Sequence, residues 1–259
     1  MNKTGISWTD LTWNPVSGCS KVSPGCQNCY AEAWSHRWNR SFEVTLHPEK
    51  LEEVKKIPSG SKVFVNSMSD LFHEKVPFDF IEQVFDACSS RPDVVFQILT
   101  KRPQRAVEFM KYMYEESWGG IGYWGDGDFD PNIWIGASVE DEKAKRRIEW
   151  LKKLHQHAPW NLFISFEPLI GDVGALDFSI ADPFYPGKVD WIIIGGESGP
   201  HHRPMKVEWA QNLVKQAKAQ GVAVWMKQMG GSRPGGELKD FPEDLRIREF
   251  PDYGLGGTP

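Results

Sequence analysis

Short β-branched and aromatic runs alternate along the chain with longer segments of helical periodicity. The pattern predicts strands near residues 6–13, 62–67, 94–100, 132–139, 161–166, 190–195 and 222–227. It predicts helices near 29–39, 78–90, 103–116, 141–156 and 206–220. Pro103 suits a first helical turn, and Glu140-Asp141 places acid at the start of the fourth helix. Trp191-Ile192-Ile193-Ile194 is continuously apolar, as expected of a strand covered on both faces. Repeated β-then-α units imply an α/β fold with a parallel sheet and right-handed crossovers. An open doubly wound sheet and a barrel both satisfy this pattern. Residues 117–131 and 171–189 read as insertions. The Gly/Pro-rich tail from about residue 230 is expected to wrap the outside of a single domain spanning residues 1–259.

Composition narrows the class. The chain has 259 residues, 40% of them hydrophobic and 25% charged, which excludes a disordered chain or a coiled coil. Barrels of about 200–250 residues fold as one unit. No run approaches the roughly 18 apolar residues of a membrane span, and MNKTGISWTDLTWNP lacks the apolar core of a secretory signal. A cytoplasmic location is therefore expected, where clustered thiols bind metal or do redox work. A net charge of −5 argues against bulk coating of nucleic acid but permits a local basic patch.

Nearly every predicted strand runs into a polar segment. These segments are Asn66-Ser67-Met68-Ser69-Asp70, Thr100-Lys101-Arg102, Ser138-Val139-Glu140, Ser165-Phe166-Glu167, Gly195-Gly196-Glu197-Ser198-Gly199 and Lys227-Gln228. In a parallel sheet these ends share one rim, where ligands bind. A solvated turn or a cap accounts for any one of them alone; together they point to a pocket.

The first βα loop carries Cys19, Cys26 and Cys29 in a C-x6-C-x2-C spacing. A closed structural zinc site takes four protein ligands. An iron–sulfur cube held by three thiolates leaves one iron for a small molecule. The loop thus leaves open a cluster, a zinc site completed by His36 or His47, and free thiols. Cys88 lies among Val84, Phe85 and Ala87 on a predicted helix and reads as a core residue.

Specific residues carry a resemblance. They are Trp8-Thr9-Asp10, Thr12-Trp13-Asn14-Pro15, Gly18-Cys19, Ser23-Pro24-Gly25-Cys26 and Cys29-Tyr30-Ala31-Glu32, then Ser69-Asp70-Leu71-Phe72, Leu99-Thr100-Lys101-Arg102-Pro103, Gly136-Ala137-Ser138-Val139-Glu140, Phe166-Glu167-Pro168-Leu169, Gly195-Gly196-Glu197-Ser198-Gly199 and Met226-Lys227-Gln228-Met229-Gly230-Gly231. Over nearly its whole length the chain resembles a phage and prophage family of unassigned function, regarded as a divergent relative of the radical S-adenosylmethionine (SAM) enzymes. The resemblance implies a partial (β/α) TIM-like barrel of about six to seven parallel strands. It also implies a [4Fe–4S] cluster on Cys19, Cys26 and Cys29, with SAM on the open iron. The superfamily's usual spacing is C-x3-C-x2-C, so the first gap here is longer. The Gly-Gly-Glu that commonly comes after the second strand stands here much later, as Gly195-Gly196-Glu197.

On that resemblance the chain is a radical SAM-like enzyme that cleaves SAM reductively to a 5′-deoxyadenosyl radical. Its partners would be SAM, an electron-donor protein and a substrate that includes nucleobases or nucleic acid among its candidates, with no membrane. Asn66, Ser69 or Asp70 would meet the SAM ammonium by position. Thr100 and Ser138 would bond adenine or sugar, while Lys101, Arg102, Arg203 and Lys227 would pair with a carboxylate or phosphate. Glu167 and Glu197 would accept from ammonium or ribose, and Glu140 is a further cofactor-binding candidate. Trp13 and Tyr30 would wall the pocket. Glu167, Glu197, His202 and Lys227 are the candidate catalytic groups. His201 reads as an exposed loop residue, and Met205 and Met229 as packing. The basic runs Lys143-Lys145-Arg146-Arg147 and Lys101-Arg102-Arg105 are candidates for phosphate contact. A zinc-binding barrel, hydrolytic or purely binding, is the alternative.

Overall fold

The computed structural model describes residues 2–113, 130–235 and 238–252. Seven parallel strands form the core of one sheet: β1 (Leu11–Trp13), β2 (Lys62–Val65), β3 (Val95–Thr100), β4 (Ile133–Ser138), β5 (Asn161–Phe166), β6 (Trp191–Gly195) and β7 (Ala223–Gln228). They pair in sequence order, each with the next, and curl into a half-barrel. Among the helices are α1 (Tyr30–Arg37), α2 (Phe78–Ser89), α3 (Pro103–Tyr112), α4 (Arg146–Lys152) and α5 (Val207–Ala219).

The period-2 alternation of each strand divides its residues between two layers. Val63, Val65, Phe96, Ile98, Ile135, Ala137, Leu162, Ile164, Ile192, Ile194 and Val224 belong to the large core beneath the helices. The opposite parity supplies Phe64, Val95, Trp134, Phe163, Trp191, Ile193 and Trp225, joined by Trp8, as a second, aromatic core. Along β4 this second parity runs Trp134, Gly136, Ser138; along β7 it runs Ala223, Trp225, Lys227. Large rings therefore fill the N-terminal end of the half-barrel, and small or polar residues occupy its C-terminal end.

Both edges of the seven-strand parallel sheet are flanked by other segments. The antiparallel strand Asn2–Lys3 caps β1. On the other edge the tail runs against β7: Met226 N donates to Ile247 O at 2.8 Å and Glu249 N donates to Val224 O at 2.8 Å. Phe250 stacks near Trp225, with ring centroids 4.6 Å apart. The tail thus closes an edge as well as running along the outside.

Several boundaries differ from the sequence pattern. The first strand begins only at Leu11, because the residues before it turn to bring Trp8 into the aromatic core. The expected helix 141–156 is three pieces: a tight turn Glu142–Ala144 capped by Asp141 Oδ1, then α4, then a second tight turn Lys153–Gln156. The last is held by His155, whose ring nitrogens lie 2.7 Å from Trp160 O and 3.1 Å from Tyr185 O. A nine-residue 3-10 run, Pro48–Lys56, was not legible in the pattern. Residues 171–189 contain a paired Ser179–Ile180 and Gly187–Lys188. Most of 117–131, and the end of the third helix, lie outside the described residues.

Candidate functional site

The loop from β1 to α1 lies across the C-terminal rim and is anchored at both ends. At its start Gly18 has φ +79°, and a Cβ there would fall 2.1 Å from Glu43 O. Only glycine fits this left-handed, crowded position. Gly18 N donates to Met68 O at 3.1 Å, and Cys19 N donates to Phe42 O at 3.2 Å. In the middle, a 3-10 turn at Pro24–Cys26 passes directly over Glu140: a Cβ on Gly25 would meet Glu140 Cγ at 2.3 Å. Ser23 Oγ donates to Glu140 Oε1 at 2.6 Å. At the far end, Asn28 Nδ2 donates to Glu197 Oε2 and to His201 O, each at 2.9 Å. Cys29 caps α1.

Three carboxylates therefore staple the loop or frame the rim, each paired with a cation. Glu140, buried, accepts from Arg147 Nη1 at 2.7 Å, with Lys101 Nζ 3.9 Å away. Glu197, also buried, accepts from Arg203 through the backbone N–H at 2.8 Å and the guanidinium at 2.9 and 2.5 Å. Burial alone would raise the Glu197 carboxyl, but the Arg203 and Asn28 hydrogen bonds outweigh it and hold the group below its usual range. Glu167 pairs with Lys227 at 2.5 Å, beside Gly195. Tyr30 reaches from α1 to Ser67 O, and burial of its hydroxyl, with Cys29 and Glu167 nearby, pushes its pKa up.

The three cysteines are partly accessible and none is in a disulfide. Burial and Asp70 push the Cys19 thiol up, opposed by Arg102, whose Nη1 lies 3.6 Å from the sulfur. Cys26 Sγ is 3.8 Å from Ser23 Oγ. Charge on Cys26 acts on Cys19, and charge on Cys26 and Cys29 acts on Lys21, so the thiols share one neighbourhood. This donor set suits a thiophilic centre. The sulfurs are not drawn together to ligand geometry: among the described residues no three His, Cys, Asp or Glu side chains are placed to hold a metal ion. His47 is committed to Ser17 Oγ at 2.8 Å and to Glu49 at 3.3 Å, and His36 is exposed on α1.

Other sequence candidates are framework. Trp13 is fully buried in the helix-side core and donates Nε1–H to Lys50 O at 2.9 Å, so it does not wall the mouth. Asn66, at φ 61°, accepts from Val16 N through Oδ1; its Nδ2 is buried without a partner among the described residues. Ser69 Oγ donates to Val16 O at 2.8 Å. Asp70 accepts from Thr100 Oγ1 at 2.7 Å, Lys101 N at 3.0 Å and Arg102 Nη1 at 3.1 Å. Asn66, Ser69, Asp70 and Thr100 join the first loop to the second and third strand ends and are not presented as ligand groups. Ser138, by contrast, is the last residue of β4 and is buried on the half-barrel side at its C-terminal end. His202 ties Nδ1 to Gly199 O at 2.9 Å.

Part of each basic run is committed to the framework, while Lys143 and Arg146 are exposed. Arg147 is buried against Glu140, and Lys145 Nζ bonds Ala175 O. Arg105 lies 4.4 Å over the Phe78 ring and donates to Val76 O at 2.7 Å. Ser23, Asn28, Arg147 and His73 are site residues that strand-end reasoning missed. His73, buried and held below its usual pKa by burial and Arg102, lies 2.8 Å from Ser20 Oγ. Ser20, Ser23 and Asn28 sit inside the cysteine loop itself, which was the available signal.

The chain belongs to the family described as protein of unknown function, DUF5131, whose model matches residues 3–243. No curated protein matches it.

Proposed function

We propose that this family member is an iron–sulfur enzyme of the radical SAM type. One observation supports it above the others. A loop bearing three free, partly accessible thiols is stapled by Glu140 and Glu197 across the C-terminal rim of a parallel half-barrel, where such folds bind ligands. Cys19, Cys26 and Cys29 would hold the cluster and leave one iron for SAM. When bound, that pair would supply reductive sulfonium cleavage and a 5′-deoxyadenosyl radical.

The chain's own residues would position and shield. Arg102 stabilises negative charge on Cys19 through its N–H···S contact. The Glu167–Lys227 and Glu197–Arg203 pairs offer both signs of charge at the rim, matching the ammonium and carboxylate of an amino-acid moiety. The aromatic core seals the opposite end of the half-barrel and keeps water from entering there.

The test is anaerobic purification with iron and sulfide analysis, followed by reduction in the presence of SAM. The expected result is a brown protein with about four irons per chain that releases 5′-deoxyadenosine and methionine. Cys19→Ala, Cys26→Ala and Cys29→Ala should each abolish the colour, and Cys88→Ala should retain it. A colourless protein with a single tight zinc would overturn the reading.

A further inference from the structure

The first helix carries a feature that the cluster reading does not use. Tyr30, Trp34 and Trp38, spaced i, i+4, i+8 on or just past α1, are 57%, 45% and 60% exposed. Residues at that spacing share one helix face. The stripe starts at the rim, where Tyr30 dips its hydroxyl toward Ser67 beside Cys29, and runs outward to Trp38. Aromatic side chains are otherwise mostly buried in this chain, Phe184 being the other large exposed ring among the described residues.

Two arginines flank the stripe although the chain as a whole carries −5. Arg37 and Arg40 are exposed, and the Arg40 guanidinium lies 5.4 Å over the Trp34 ring. The helix's acidic residue, Glu32, is answered by Lys21 at 2.8 Å. Flat π surfaces interleaved with arginine match the bases and phosphates of a nucleic acid strand. The spacing selects the form of that strand. Four residues of helix rise about 6 Å, and the Trp34 and Trp38 centroids are 6.4 Å apart. Bases stacked in a duplex repeat about every 3.4 Å. One base per ring therefore requires a strand with its bases splayed apart.

We infer that the Tyr30–Trp34–Trp38 face of α1 is a docking platform for single-stranded nucleic acid, which leads a nucleotide toward the cysteine loop. That the strand is also the substrate rests on the proposed radical chemistry; the binding does not. The platform commits the enzyme to a nucleobase or nucleotide as the group presented to the rim.

The test is fluorescence anisotropy of labelled oligo(dT), oligo(U) and a duplex control, with tryptophan quenching read in parallel. Single strands should bind more tightly than duplex, and affinity should fall as salt rises. The relative affinity of oligo(dT) and oligo(U) identifies the strand as DNA or RNA. Trp34→Ala/Trp38→Ala should weaken binding by about tenfold or more, the loss of one to two stacked bases. Arg37→Glu/Arg40→Glu should weaken it and flatten the salt dependence. Thermal unfolding of both variants should match the parent, because all four side chains are exposed. Unchanged affinity in the variants, or no binding of either oligonucleotide, would overturn the platform. So would a stripe needed instead for binding anionic vesicles or for self-association. Oligonucleotide binding by a protein that never holds iron would sink the radical reading and leave the platform standing; iron without binding would do the reverse.

Discussion

Arg102 places Nη1 3.6 Å from the Cys19 sulfur and 3.1 Å from Asp70 Oδ2, so one guanidinium serves a thiol and a carboxylate at once. Asp70 and burial push the Cys19 thiol up, and Arg102 pulls it down. The two neighbours therefore have opposite effects on thiolate population at neutral pH. Arg102→Gln should raise the Cys19 pKa further and slow its alkylation by iodoacetamide. Asp70→Asn should lower the pKa and speed alkylation. A shift of one pKa unit is about tenfold in thiolate at pH below the pKa. Peptide mapping of Cys19 alkylation against pH checks both signs; equal rates in the two variants would refute the opposition.

Thiol reactivity should separate the cysteines by place. Cys19, Cys26 and Cys29 are partly accessible, whereas Cys88 is fully buried on α2 and its pKa is pushed well up by burial. Metal-free native protein titrated with a thiol-specific disulfide reagent should release colour for the three loop cysteines first. The fourth should react only on unfolding.

Gly18 and Gly60 make a matched pair. Both have positive φ, +79° and +77°, but a Cβ on Gly18 would strike the Glu43 backbone while one on Gly60 would meet nothing within 4 Å. Gly60→Ala should cost about 1 kcal/mol, the conformational penalty alone. Gly18→Ala should cost about 2–4 kcal/mol, because backbone must also move. It should also make the cysteine loop more sensitive to proteolysis. Urea unfolding and limited digestion read the difference.

The Glu197–Arg203 pair should give stability a pH dependence of known sign. The folded-state Glu197 pKa is held below its unfolded value. Its contribution is thus fully present above the ordinary carboxylate range and is lost as pH falls through the lower folded value. Glu197→Gln should remove about 1–3 kcal/mol at neutral pH and flatten the acid limb of a plot of Tm against pH. Parallel acid limbs for parent and variant would show that the pair contributes nothing to that dependence.

The alternation of apolar runs and helical periods was enough to place the seven strands of the parallel sheet and the five main helices, because repeat length and continuous burial are local properties of the chain. Asp141 capping and the His155 contacts broke one expected helix into three, and the His155 bonds depend on carbonyls beyond the segment itself. The rim, too, could be read from the residues that end each strand, and the thiols from their spacing.

Which strand-end residues are consumed by the scaffold and which pair with each other at the rim was decided only by tertiary structure. Asp70, Thr100 and Asn66 are polar strand-end residues just as Glu167 and Lys227 are, yet the first three are consumed where the first loop crosses the neighbouring strand ends. Strand parity turned Trp13 inward toward the helices, though the resemblance implied a pocket wall. A one-dimensional pattern specifies which groups arrive at the rim. Many of their partners come from segments tens to more than a hundred positions away, as Ser23 does for Glu140, and only the curled sheet brings them within hydrogen-bond reach.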